Sequence, residues 1–520
     1  MNAARRIASV VHADALIRLR RTSTLVIFLL LSWLAWVWVP EPSSGFALMQ
    51  IGGARVLYNS AAIALGTASL ATVFIGLVGY YVVSNALKRD LETRAGFIVA
   101  STTVRNLEYI FAKFLGNLAF LTIFTFGYML VSMAMIFVRG EAGLEPLVFV
   151  QHYLFLAAPA LVMTSALAIT FESVPFLSGR FGDVAYFFVW IGLLSLAAGS
   201  IAGEGASALA MVDMTGFAVM SAQMKEIYNL DSFGIGRMAF EAGTDPFTFN
   251  GLRFGAADVF SRVIAATVPL LLIPVAAFFF RRFDPAKVKA SAARQGRHPI
   301  AWLNRRLKGL AAPLARIPLG ASFPSQVAND ALLTFQLAPL GIVAAVVLAV
   351  AAMATGDVEG LRSGLLPVAF VFIAAMIADG SSRDAHMLAL LFSTPGARAR
   401  YTILKVSSAI LVTVTILAGP LARLALEDRR AALALLAGAA FVSSAATLLG
   451  IVTRNPKAFL VLFLLYWYVT VNDQGATAAF NFGGFFGEAV PMHAAAFAGA
   501  AAVMAAAAWG AWKARLAREW

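Results

Sequence analysis

The chain has no cysteine, and only 13% of its 520 residues are charged. The first absence excludes disulfides, thiolate metal sites and cysteine nucleophiles. The second excludes an ordinary water-soluble globule, in which about a quarter of residues are charged. Acidic residues are the scarcer sign, 27 against 40 Lys+Arg, for a net charge of +13. No Gly-Lys dipeptide occurs, so no Walker loop for cradling phosphates is encoded. His-Glu-x-x-His and Gly-x-Ser-x-Gly are also missing, and His12, His152, His298, His386 and His493 are scattered. No convergent acid, base or nucleophile is visible, so the chain reads as a non-enzyme that binds no metal or cofactor.

What is present is apolar. Hydrophobic residues make up 60% of the chain, and the mean hydropathy is +0.81. Lipid must therefore cover much of the surface. An apolar run of about 20 residues crosses a bilayer as a helix. Such runs lie near 24–40, 61–86, 115–138, 148–171, 184–202 and 258–280, and again near 337–354, 364–380, 405–422, 431–452, 457–472 and 493–512. The expectation is an all-α polytopic membrane protein of about twelve spans in two six-span halves. The organisation expected is a first half over 1–280, a basic cytoplasmic linker over 281–320 and a second half over 321–520. A large external loop falls at 203–257. Arg5, Arg6, Arg18, Arg20 and Arg21 precede the first apolar run, and Pro-Glu-Pro follows it where a signal peptidase would need small residues. An uncleaved first span fits better than a signal peptide.

The distribution of charge supports this threading. With both termini cytoplasmic, the inner segments hold 30 Lys+Arg and 11 Asp+Glu, the outer ones 10 and 16. That is the asymmetry of the positive-inside rule. The basic balance is thus explained by topology rather than by nucleic acid. Only Arg429 and Arg430, in a short outer turn, run against it. The linker carries ten basic residues between Arg281 and Arg316; it suits anionic headgroups, or a plain solvated tether.

The two halves echo one another. Val11 to Ile17, with Asp14-Ala15-Leu16, is matched by Val327 to Leu333, with Asp330-Ala331-Leu332. Ser101, Thr102, Arg105, Tyr109 and Lys113 are matched by Ser393, Thr394, Arg398, Tyr401 and Lys405, and Arg180-Phe-Gly-Asp by Arg454-Asn-Pro-Lys. Each echo follows or precedes the equivalent span. Chance similarity between apolar sequences is the alternative. Parallel halves related about the membrane normal would suit a central pathway and two equivalent docking sites.

Between Lys88 and Lys113 the charges of Arg89, Asp90, Glu92, Arg94 and Arg105 alternate with Phe97, Ile98, Leu107 and Phe111 at helical spacing. Such an amphipathic element is longer than a turn requires. Ser381 to Lys405, with Arg383, Asp384 and Ser-Thr-Pro-Gly, is its counterpart. Two such elements at equivalent positions read as docking surfaces for a paired partner.

On these residues the chain resembles the permeases of the ABC-2 type exporter family. A basic amphipathic elbow (Ala4–Arg21) precedes the first span, and Arg-Asp-Leu-Glu-Thr-Arg-Ala-Gly follows the second. Ser-Thr-Thr-Val-Arg-Asn-Leu-Glu-Tyr then leads into the third, and the largest external loop lies between spans five and six. The resemblance implies a type V, ABC-2-like exporter fold, a bacterial inner-membrane location and a separate ATPase, with ATP and Mg held by that partner. It also implies coupling roles for Arg89, Asp90, Glu92, Arg94, Thr103, Arg105, Arg383, Asp384, Ser393, Thr394 and Arg398. Typical members are six-span chains that dimerise, whereas here both halves are fused. One chain with two ATPase copies is the simplest assembly, and a homodimer of the whole chain the alternative. Peptides, natural products and lipid-like molecules all suit the cargo.

Aromatic clusters offer a substrate path through Trp33, Trp36, Phe187, Trp190, Trp467 and Phe485; ordinary helix packing or interface anchoring explains them equally. Met211, Met214, Met220, Met224 and Met238 could hold Cu(I), although methionine more often fills irregular apolar surface. The external loop reads as a folded cap, and Phe480 to Phe486 as a re-entrant plug or an aromatic belt. Two other classes compete: an ion-coupled carrier, which would need charges at mid-membrane, and a membrane enzyme or scaffold. Glu172, Asp379 and Lys405 lie at span ends, so the exporter reading stands first.

Overall fold

Inside lipid the backbone must satisfy its own hydrogen bonds, and a single apolar run can do so only as a helix. The computed structural model is accordingly 78% helical. It describes residues 3–20, 22–202, 211–228, 233–240, 243–281, 283, 299–316, 320, 322–386, 396–475, 477–487 and 491–519. The chain divides into two units, Met1–Ala293 and Arg294–Trp520.

In the first unit, α1 (Ala3–Leu19) and α2 (Thr22–Trp38) are followed by α3 (Ser60–Val83), α4 (Ala86–Glu92) and α5 (Ala95–Ser101). Next come α6 (Asn106–Arg139), α7 (Pro146–Ser173), α8 (Arg180–Ala202), α9 (Phe217–Tyr228) and α10 (Ala256–Phe279). A π-turn at Tyr153–Ala157 interrupts α7 just before Pro159. A proline ring clashes with the carbonyl four residues back, and the wider turn relieves that clash.

The second unit holds α11 (Pro299–Arg306), α12 (Phe323–Leu337), α13 (Leu340–Ala354), α14 (Val358–Ile377) and α15 (Ala397–Ile416). After these follow α16 (Ala418–Glu427), α17 (Arg429–Thr453), α18 (Pro456–Asp473) and α19 (Pro491–Glu519). A second π-turn, Leu361–Leu365, again precedes a proline, Pro367. Pro339, between α12 and α13, sits at a bend of 94°.

Among the described residues, eight helices are long and apolar enough to cross a membrane, or nine if the bent α12–α13 pair counts as one. Phe278, Met353 and Phe137 are 84%, 78% and 76% exposed on such helices or beside them. Water would not tolerate so much open apolar surface, and lipid does. This is a membrane-embedded protein.

One feature is not helical. β1 (Phe46–Ile51), β2 (Ala54–Arg55) and β3 (Phe233–Ala239) form an antiparallel sheet in the order β2-β1-β3. Gly52 and Gly53 both take positive φ, 55° and 85°, closing the β1–β2 hairpin. Ile51 pairs with Phe233 and Phe46 with Ala239, so the loop after α2 is tied to the external loop expected at 203–257. Among its described residues that loop holds α9 and β3, and 203–210, 229–232 and 241–242 lie outside them.

Candidate functional site

The polar residues of the first unit converge where α1, α4 and α6 meet. Tyr109, Lys113, Gly116, Asn117 and Phe120 share one face of α6 through their three- and four-residue spacing, and α1 packs on it. Gly116 is what permits the approach: a methyl there would lie 3.1 Å from an Asp14 carboxylate oxygen. The start of α4 is fixed from a different helix. Glu172 of α7 accepts from the backbone N–H groups of Ala86 (3.0 Å) and Leu87 (2.7 Å), two donors that the helix itself cannot satisfy. Arg89 and Asp90 are thereby turned inward.

Asp14, 2% exposed, is the centre of the cluster. It meets Arg18 at 2.8 Å, Lys113 Nζ at 3.1 Å, and Arg89. Lys113 also reaches Asp90 at 2.7 Å, and the Tyr109 hydroxyl donates to the same carboxylate. Arg18 continues to Asn117 Oδ1 at 2.7 Å and lies 5.5 Å from the centre of the Phe120 ring. Burial pushes the Asp14 carboxyl up, but Arg18, Lys113 and Arg89 together outweigh it and hold the group below its usual range. At its edge, Arg6 of α1 donates to Glu108 of α6 at 2.9 Å.

The second unit contains the same residue types making the same pairs. Asp330 of α12 meets Arg383 at 2.6 Å and Lys405 at 2.7 Å, and Lys405 also pairs with Asp384. Lys113 and Lys405 each stand 5.7 Å from the ring centre of Tyr109 and Tyr401 respectively. Two differences stand out. Four residues beyond the aspartate, Arg18 is replaced by Thr334, whose hydroxyl accepts from Arg383 at 2.9 Å. Tyr401 donates to the Ser381 carbonyl at 3.1 Å, where Tyr109 donates to Asp90.

No family model, curated protein or solved structure matches the chain.

Of the residues expected to couple to a partner, Arg89, Asp90, Arg383 and Asp384 belong to these clusters and face inward. Arg94, Thr103, Arg105 and Arg398 are exposed. Arg94 takes a positive φ of 62° to start α5, which presents Phe97 and Ile98 outward between Arg94 and Arg105. On its other face, Gly96 packs against the Phe283 ring too closely for any side chain. The side chain of Glu92, and Ser393 and Thr394 entirely, lie outside the described residues. Asp14, Lys113, Asp330 and Lys405 were missed as site residues, although each is a member of an echoed pair.

Of the six aromatics, four lie in the first unit and two in the second. Trp33 and Trp36 are half exposed on α2, and Arg139 covers the Trp36 ring at 4.1 Å. Phe187 and Trp190 are wholly buried on α8 and stacked on one another. Trp467 donates its indole N–H to the Pro367 carbonyl at 2.7 Å. That carbonyl lies two residues beyond the π-turn of α14. Phe485 is buried with Phe482 against Phe370. Of the methionines named for the external loop, Met214, Met220 and Met224 are buried, Met238 is half-buried on β3 and Met211 is exposed, and no group of three or more His, Asp or Glu suited to a metal occurs among the described residues.

Proposed function

We propose that this chain is the transmembrane permease of an ATP-binding-cassette exporter, with two six-span halves fused in one polypeptide. The eight membrane-length helices, together with α2, α8, the α12–α13 pair and α18, would make twelve spans. The observation that carries the reading is the duplicated cluster. Each joins an amphipathic helix ahead of a first span, the segment after a second span and the start of a third. In the first unit the exposed Arg94–Arg105 stretch leads directly out of it. A motor docking on that stretch would push on a buried ion network, which is short-ranged, directional and stiff. The push would pass to α1 and α6 together. Two copies of a separate ATPase, holding ATP and Mg, would supply the force, and both termini would be cytoplasmic.

Capture of the tagged full chain from its native membrane, followed by mass spectrometry and an ATPase assay, tests this. A nucleotide-binding subunit should co-purify in about twofold excess over the chain, and Arg94→Glu should reduce its recovery while the chain stays folded. Recovery of the chain with no ATPase, or unchanged recovery with Arg94→Glu, counts against the exporter reading or against this docking segment respectively.

One observation favours an ion-coupled carrier as the second reading: Lys113, a residue of the membrane-length helix α6, is buried with its charge paired to the buried Asp14. Transport that survives ATP depletion and collapses with the proton gradient would select it.

A further inference from the structure

The charge sorting leaves Arg429 and Arg430 unexplained, since it places them on the outer face, where basic residues are depleted. The structure supplies a use for Arg430. A cavity of about 730 Å³ lies within the second unit, lined by Val358, Glu359, Arg362, Asp428, Arg430 and Phe486 among others. Arg362 sits in the π-turn of α14, a distortion that recurs at functional sites. Its guanidinium donates to the Gly484 carbonyl (2.6 and 2.9 Å) and the Gly487 carbonyl (2.7 Å), and this pins the Phe485–Phe486 loop as one wall. Asp428 is 3.8 Å from Arg362 and spends its other oxygen capping α17 through the Arg430 and Ala431 N–H groups. These two are therefore committed to the scaffold. Glu359 and Arg430 are not: both are exposed, and neither side chain has an ion-pair or hydrogen-bond partner among the described residues.

We infer that this cavity binds a zwitterionic amphiphile, its anionic group meeting Arg430, its cationic group meeting Glu359 and its apolar part lying against Phe485, Phe486 and Val358. A purely anionic ligand would leave Glu359 facing like charge, and a purely cationic one would do the same to Arg430. An entirely polar zwitterion would forgo the aromatic wall. The chemistry is that of a phosphate–amine headgroup on an acyl chain. The inference rests on the cavity alone and needs no ATPase, so its failure would leave the exporter proposal untouched, and loss of the ATPase partner would leave this binding intact.

The test uses the purified full chain in detergent with dihexanoyl phosphatidylethanolamine, dihexanoyl phosphatidylglycerol and glycerophosphoethanolamine as probes, read by native mass spectrometry. The ethanolamine lipid should bind saturably and more tightly than the other two. Loss of a charge-assisted contact corresponds to about a tenfold loss of affinity or more. Arg430→Ala should weaken both lipids by about that factor, whereas Glu359→Gln should weaken only the ethanolamine lipid. Both positions are exposed, so neither variant threatens folding. Equal binding of the two lipids to the wild type, or ethanolamine-lipid binding unchanged in both variants, overturns the proposal. Tight binding of glycerophosphoethanolamine would mean a soluble zwitterion is the ligand, and would overturn the amphiphile assignment.

Discussion

At the scale of single residues, Asp14 bears most on stability. A buried carboxylate among three cations is strongly coupled to them, and removing one member of such a set costs about 3–5 kcal/mol because the others stay buried. Asp14→Asn should therefore lower the apparent melting temperature of the detergent-solubilised chain steeply. Asp330→Asn should cost less, since Asp330 faces two cations where Asp14 faces three. The pH dependence has a definite sign. The folded carboxyl of Asp14 lies below its usual value of 3.8, so its contribution is fully present above that pH and is lost as pH falls through the folded value. Wild-type stability should fall more steeply below about pH 4 than that of Asp14→Asn, which keeps only the share of Asp330 and the other paired carboxylates, measured as melting temperature against pH. Equal acid-side slopes in the two proteins would show that Asp14 is not coupled to the cations as described. Much of this was legible in the sequence: Asp14 and Lys113 are both members of echoed pairs. What the sequence did not reveal is direction. Arg89 and Asp90 read as docking residues because charge in a cytoplasmic loop is ordinarily solvated, and Glu172, over eighty residues away, is what turns them inward.

Among the elements, the contact between α1 and α6 depends on close approach. A methyl on Gly116 would meet the Asp14 carboxylate at 3.1 Å, on an atom held by its ion pairs. Overpacking of this kind costs about 1–3 kcal/mol. Gly116→Ala should lower the melting temperature, while Gly192→Ala, which meets nothing within 4 Å on α8, should leave it nearly unchanged. If the two variants melt alike, the elbow is not seated tightly on α6. The helices themselves were readable from apolar runs, with 24–40 expected against Thr22–Trp38 found and 431–452 against Arg429–Thr453. The sheet was not foreseen. Gly52-Gly53 is a hairpin signal in plain view, but β3 contains two glycines, which weaken a strand locally, and it pairs with β1 from about 180 residues away. Only tertiary packing could make that pairing visible.

For the whole molecule, the proposal depends on which side of the membrane each segment occupies, and the missing cysteines make this directly measurable. Any single introduced thiol is the only reactive one in the chain. Ser101 and Ala399 are exposed positions in or near the two segments expected to be cytoplasmic, and Gly143 and Gly356 are exposed in turns expected outside. Neither glycine has an atom within 4 Å of an added Cβ, so none of the four cysteine variants should disturb packing. In intact cells a membrane-impermeant maleimide should label Gly143→Cys and Gly356→Cys. Ser101→Cys and Ala399→Cys should react only after permeabilisation. An even number of crossings between Ser101 and Ala399 is what puts both duplicated clusters on one face, where paired motors could reach them. If Ser101→Cys and Ala399→Cys label from opposite faces, the crossings between them are odd, the repeat is inverted rather than parallel, and a paired cytoplasmic motor has only one cluster to act on.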